Sequence, residues 1–184
     1  MNLEQGEEIE GHFYESDTVY PTNIRFPDDE IIESVDAKFN LLTNNLELKI
    51  NNQTLILRGR MLKSFSQNGS KYVQGKNLQN YGLIDSLFYR VIVNDKCQLF
   101  ATSQLVLQPN NYNEILDVGE KKDRYIKKTE YLFFRNEELV YSSVSLKKMT
   151  KFISKRAYFQ PCDTDRRLKS TESDMQSFLS NCCR

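Results

Sequence analysis

Apolar and polar positions alternate most cleanly in Leu46-Glu47-Leu48-Lys49-Ile50, pause at Asn51-Asn52, and resume in Gln53-Thr54-Leu55-Ile56-Leu57. Strict alternation is the period of a strand with one buried face, and asparagine tolerates the positive φ of a two-residue hairpin turn. Such a turn sets Leu48 opposite Leu55 and Leu46 opposite Leu57 on the buried face, with Glu47 and Lys49 toward water. The second strand reads on through Arg58-Gly59-Arg60-Met61-Leu62, with Gly59 and Met61 inward and both arginines outward.

Two further hairpins follow from the same pattern. Leu87–Val93 returns as Cys97–Leu107, and a three-residue loop, Asn94-Asp95-Lys96, pairs Val91 with Leu99 and Tyr89 with Ala101. Tyr131–Arg135 returns as Glu138–Tyr141 through Asn136-Glu137, pairing Phe134 with Leu139, Phe133 with Val140 and Arg135 with Glu138. Shorter strands are predicted at His12–Tyr20, Val35–Leu42, Lys71–Gln74 and Phe152–Phe159, with Ser64–Gly82 otherwise a long polar loop. Many closely spaced strands without alternating long helices predict a mainly β fold, α+β at the margin: an antiparallel barrel or a two-layer sheet structure.

Helical signals are few. Thr171-Glu172-Ser173-Asp174 resembles a capped start, and Met175, Phe178, Leu179 and Cys182 then form one helical stripe. The spacing predicts a short C-terminal helix over 171–183, reached through a linker at 160–170. Its stripe, led by Met175, Phe178 and Leu179, either closes this chain's own sheet or docks into a partner's groove. Weaker helical signals follow Pro27, over Asp28–Val35, and Pro109, over Asn111–Asp117.

The chain has 184 residues, enough for one domain with its own core, here 1–184 with a flexible acidic arm at 1–11. Ten Tyr and 11 Phe supply apolar area that offsets a hydrophobic content of only 39%. No apolar run is long enough to span a bilayer. A net charge of zero conceals an asymmetry: residues 1–37 hold eleven acids and one base, whereas 121–169 hold fourteen bases and six acids. Either the two regions neutralise each other or they steer partners.

Catalytic chemistry finds little support. The single histidine, His12, has no nucleophile beside it, no spacing picks out a carboxylate pair, and no phosphate-binding glycine motif occurs. Cys97, Cys162, Cys182 and Cys183 lack the Cys-x-x-Cys spacing of a zinc site. The acidic start does not read as a secretory signal, so free thiols in a reducing compartment are expected, Cys97 being a small core residue. No metal, cofactor or small-molecule substrate is implied.

The segment with binding content runs from Lys147 to Phe159, where Lys147, Lys148, Lys151, Lys155 and Arg156 interleave with Phe152, Tyr158 and Phe159. Bases among aromatic rings suit single-stranded nucleic acid; an edge strand guarded by lysines accounts for the same residues without a ligand. The reading that follows is a non-catalytic, β-rich protein-interaction subunit of an intracellular assembly, nuclear or cytoplasmic and not secreted, with other protein subunits as partners. The alternative is a nucleic-acid-binding β module using 121–169, with Lys147, Lys148, Lys151, Lys155, Arg156 and Tyr158 as its contacts.

Overall fold

The computed structural model describes residues 10–113, 115–119, 121–155 and 170–183. Most of the acidic arm and nearly all of the linker at 160–170 lie outside these residues. The strands are β1 (Glu10–Gly11), β2 (Tyr20–Arg25), β3 (Ile31–Asn40), β4 (Asn45–Ile50), β5 (Gln53–Leu57), β6 (Ser64–Gln67), β7 (Ser70–Gln74), β8 (Phe88–Asn94), β9 (Cys97–Gln108), β10 (Arg124–Arg135) and β11 (Glu138–Ser143). Among the described residues the helices are α1 (Leu146–Ser154) and α2 (Glu172–Cys182).

The fold is a mainly β, two-layer antiparallel sheet structure with a short C-terminal helix, and it is not a closed barrel. Strand order is β1-β10-β9-β8-β7-β6-β2-β3-β4-β5, with β11 also on β10. Among the described residues only the short β1–β10 ladder is parallel, and every other strand pairing is antiparallel. The sheet therefore ends at β5 on one side, and at β1 and β11 sharing β10 on the other.

Turn chemistry sets the hairpins. Asn51 and Asn52 both adopt positive φ, and the β4–β5 register is Leu48 with Leu55 and Leu46 with Leu57, as expected. Beyond Leu57 the chain departs from the expected strand. Gly59–Met61 is a 3-10 turn, Met61 is exposed and Leu62 is buried instead. Gly59 sits so close to Asn44 that a Cβ would stand 2.1 Å from its carbonyl oxygen, and the Gly59 N–H donates to Asn45 Oδ1. The chain turns there and cannot extend.

The β8–β9 register also differs from expectation. The ladder starts from Asn94 with Gln98, one residue later on both strands than expected, so Val93 pairs with Leu99; a bulge at Ile92 then sets Val91 opposite Phe100. A bulge at Val140 likewise sets Phe133 opposite Tyr141, while Phe134–Leu139 and Arg135–Glu138 hold. The region read as a polar loop contains the β6–β7 hairpin, turning at Asn68-Gly69, both at positive φ. Neither weaker helix forms among the described residues: Ile31 onward is β3, 111–113 is irregular with a bridge at Asn113, and 115–117 is a turn. Between 12 and 19, only Tyr14 bridges to another strand, at Asn40.

Three apolar clusters follow from the alternation. Ile24, Phe39, Leu46, Leu48, Leu62, Phe65, Tyr72 and Phe88 fill one, where Phe65 and Tyr72 stack with ring centroids 4.6 Å apart. Along β9 the faces divide: Leu99 and Ala101 point to the helices, and Phe100 points to the opposite side, against Tyr89, Leu132 and Phe134. Met149 and Ile153 of α1 and Met175 and Leu179 of α2 complete the helix-side cluster. No helix among the described residues is long and apolar enough to cross a membrane.

Candidate functional site

Where the sequence predicts a basic strand from Phe152 to Phe159, the described residues up to Ser154 belong to helix α1, and 156–159 lie outside the described residues. Ser145 caps α1 by accepting from the Lys148 N–H, and Leu146, Met149, Thr150 and Ile153 then fall at i, i+3, i+4 and i+7. Burying that stripe is incompatible with a strand, whose alternation would put Met149 and Ile153 on one face and Thr150 on the other. Lys147, Lys148, Lys151 and Lys155 consequently share the exposed side, and none makes an ion pair among the described residues. The rings do not join them. Phe152 stacks on Tyr141 at 4.0 Å, half-buried in packing. Arg156 and Tyr158 lie outside the described residues.

The stripe of the last helix faces inward. Met175 and Leu179 are fully buried in this chain's core, with Phe178 packed against it. The N-terminus of α2 is held by a charged cluster that the sequence did not indicate. Arg90 on β8 grips Glu172 through both terminal nitrogens, Nη2 to Oε1 at 2.6 Å, and Tyr131 Oη donates to Oε1 at 3.0 Å. Burial pushes the Glu172 carboxyl up, but hydrogen bonds and charge from Arg90, then Tyr131, hold it below the ordinary value. The same hydrogen bonding raises Arg90, and burial pushes Tyr131 up to about 12. Every group in the cluster is engaged, so it fastens α2 and offers no free acid or base.

At the other end of α2, Cys183 is bonded to Cys97 at the start of β9, with Cα atoms 5.7 Å apart. Cys182 is disulfide-bonded as well. The expectation of free thiols is thus corrected. Cys97 points inward at the edge of the helix-side core, and Cys183, one helical turn beyond Leu179, meets it there. The stripe expected from the sequence ends at Cys182, whereas Cys183, four residues beyond Leu179, is the cysteine that is buried.

Two clefts flank the segment from Tyr14 to Asp17. One, of about 580 Å³, is lined by His12, Asp17, Arg124 and Lys127 among others. The other, of about 260 Å³, is lined by Gln67, Ser70, Tyr72 and Arg90 among others, with Glu15 shared between them. His12 Nδ1 lies 3.1 Å from Asp17 Oδ2, both side chains largely in solvent, and Lys127 Nζ donates to the Glu15 carbonyl at 2.8 Å. The His12–Asp17 pair is solvated, and among the described residues no nucleophile is poised on His12; Ser16 Oγ accepts from the Thr18 N–H. Among the described residues no three His, Cys, Asp or Glu side chains converge as metal ligands would.

The surface with the clearest unmet bonding capacity is β5. Its hairpin closes on the Ile50–Gln53 pair, so Gln53, Leu55 and Leu57 direct their backbone groups to β4, and Thr54 and Ile56 direct theirs outward. Among the described residues no strand pairs with that outer edge. The side chains repeat the message: Leu55 is 49% and Ile56 66% exposed. Natural edges are ordinarily blunted by lysine, proline or a bulge, and β5 has none of these. Around it stand the exposed bases Lys49, Arg58 and Arg60. The nearest acid on β4, Glu47, accepts from Tyr14 and Asn40. No protein-family model, no curated protein and no solved structure matches this chain.

Proposed function

We propose that the protein is a non-catalytic interaction module that receives an extended segment of a partner protein along β5. The carrying observation is the unguarded apolar edge. Only an extended backbone matches a row of outward N–H and C=O groups spaced two residues apart, and strand addition is a recurrent way to satisfy them. Leu55 continues the layer formed by buried Leu48 and Leu46, so an added strand with an apolar residue opposite Leu55 extends the core across the edge. Lys49, Arg58 and Arg60 select acidic residues at the ends of that segment. Other proteins are thus the partners, in keeping with the subunit role read from the sequence.

The test uses a photo-reactive residue in place of Ile56, in cells of the native source. Cross-links are expected to map to one acidic, alternating segment of one partner. Ile56→Pro removes the outward N–H without touching the β4 ladder, so it should abolish capture while leaving the folded content unchanged. Scattered cross-links, cross-links to a second copy of this chain, or equal capture by the proline variant would overturn the reading.

A second reading, nucleic-acid binding through 121–169, is supported by the lysine row of α1 alone. The aromatic platforms that single-strand binding uses are not part of that row.

A further inference from the structure

Independently of β5, the cysteines carry a statement about where the chain works. Cys97 and Cys183 are almost wholly buried, 86 residues apart in sequence, and joined through their sulfurs. Cys182 is bonded too, so none of the described cysteines is a free thiol. The bond ties the last turn of α2 to the first residue of β9. Besides it, α2 is held by Met175, Leu179 and the flank of Phe178, by the bond of Cys182, and at its other end by Arg90 and Tyr131 on the partly exposed Glu172. An eleven-residue helix has little stability of its own.

We propose that this chain matures in an oxidising compartment, a secretory lumen, a periplasm or the cell exterior, where the Cys97–Cys183 bond clasps α2 onto the sheet. The two thiols give up two protons and two electrons as the bond forms. A protein or small-molecule disulfide accepts them and leaves as two thiols. Reducing compartments reverse that exchange, which is why such bonds are rare there. The proposal displaces the reducing, intracellular setting expected from the sequence.

The test begins with protein from its native source, alkylated under denaturing conditions without reductant and then digested. Cys97 and Cys183 are expected to escape alkylation and to appear in one linked peptide; finding both alkylated overturns the proposal. Hydrogen exchange of the α2 amides is then compared before and after dithiothreitol. Reduction should speed their exchange at least tenfold, and unchanged exchange would overturn the clasp. Paired Cys97→Ser and Cys183→Ser variants keep the bond of Cys182, and their α2 amides should exchange faster than those of the oxidised wild type; equal exchange would overturn the clasp. If they do not fold, the dithiothreitol comparison is made on Cys182→Ser, in which Cys97–Cys183 is the described disulfide that remains.

Discussion

Glu172 bears more structural duty than any other charged residue described. It stands in the first turn of α2, where a negative charge also favours the helix dipole, and it accepts from Arg90 and Tyr131 across the sheet. Its folded pKa lies below the ordinary value of 4.5, so the carboxylate form is the one that folding prefers. The resulting stability is fully present above that ordinary value and is lost as pH falls through the lower folded value. Urea midpoints measured from about pH 6 down to about pH 3 should therefore drop for the wild-type chain beyond what Glu172→Gln shows. At neutral pH the glutamine variant should be less stable by about 1–2 kcal/mol, since it leaves a partly buried guanidinium short of its counter-charge. Parallel acid profiles for the two proteins would show that the cluster contributes nothing. Gly59 is a second single-residue constraint. A methyl there meets the Asn44 carbonyl and the Phe88 ring at the same time, so Gly59→Ala must push the β4–β5 hairpin off its neighbour.

At the scale of elements, hairpins were legible where turn chemistry and alternation agreed, as at Asn51-Asn52 and Asn136-Glu137. At β10–β11 the register failed where a bulge intervened at Val140, because a single inserted residue leaves no mark on an apolar run; at β8–β9 it failed already at the turn, where Asn94 pairs with Gln98 and the alternation does not say which residues make the loop. Of the β6–β7 hairpin, β7 was legible as Lys71–Gln74, but β6 was hidden because Ser64 and Gln67 are buried polar residues and so break the alternation a strand is recognised by. The α1 segment misled for the opposite reason. Its Phe152-Ile153 pair reads as strand, and only the Ser145 cap with Leu146, Met149 and Ile153 discloses the helix. The candidate site was half legible. The β5 hairpin was found, but nothing in a sequence says which strand ends up at an edge. The lysine row is the element on which nucleic-acid binding can be tested. Four phosphate contacts by Lys147, Lys148, Lys151 and Lys155 would give single-strand affinity a slope of about −3 against log salt. Reversing Lys151 and Lys155 to glutamate should abolish it. Absence of binding at low salt would end that reading.

Across the whole molecule the charge asymmetry stays spread out. The acids of the β2–β3 hairpin, Asp28, Asp29, Glu30 and Glu33, lie toward the β5 end of the strand order, and the α1 lysines follow β11 at the other. The Glu15–Lys127 pair is a contact between the two regions, whereas Asp29 pairs locally with Arg25 and Lys63. What joins the halves is β8. Phe88 belongs to the cluster around Phe65, Ile92 and Val93 to the cluster under the helices, and Tyr89 to the cluster behind them. One strand shared by three cores cannot stay in place when any of them empties, so the clusters should melt together. Removing the fully buried Phe65 ring is expected to cost about 3–5 kcal/mol, because its stack with Tyr72 and its edge contacts with Phe88 are lost and a cavity remains. If β8 couples the halves, Phe65→Ala lowers the protection of β9 and β10 amides around Leu99 and Phe133 by as much as that of β3 and β4 amides around Phe39 and Leu46. Calorimetry of the variant would then show one transition, with its calorimetric and van't Hoff enthalpies equal. Two transitions, or a loss of protection confined to β2–β7, would mean that the sheet is a chain of separable units and that β8 is only their neighbour.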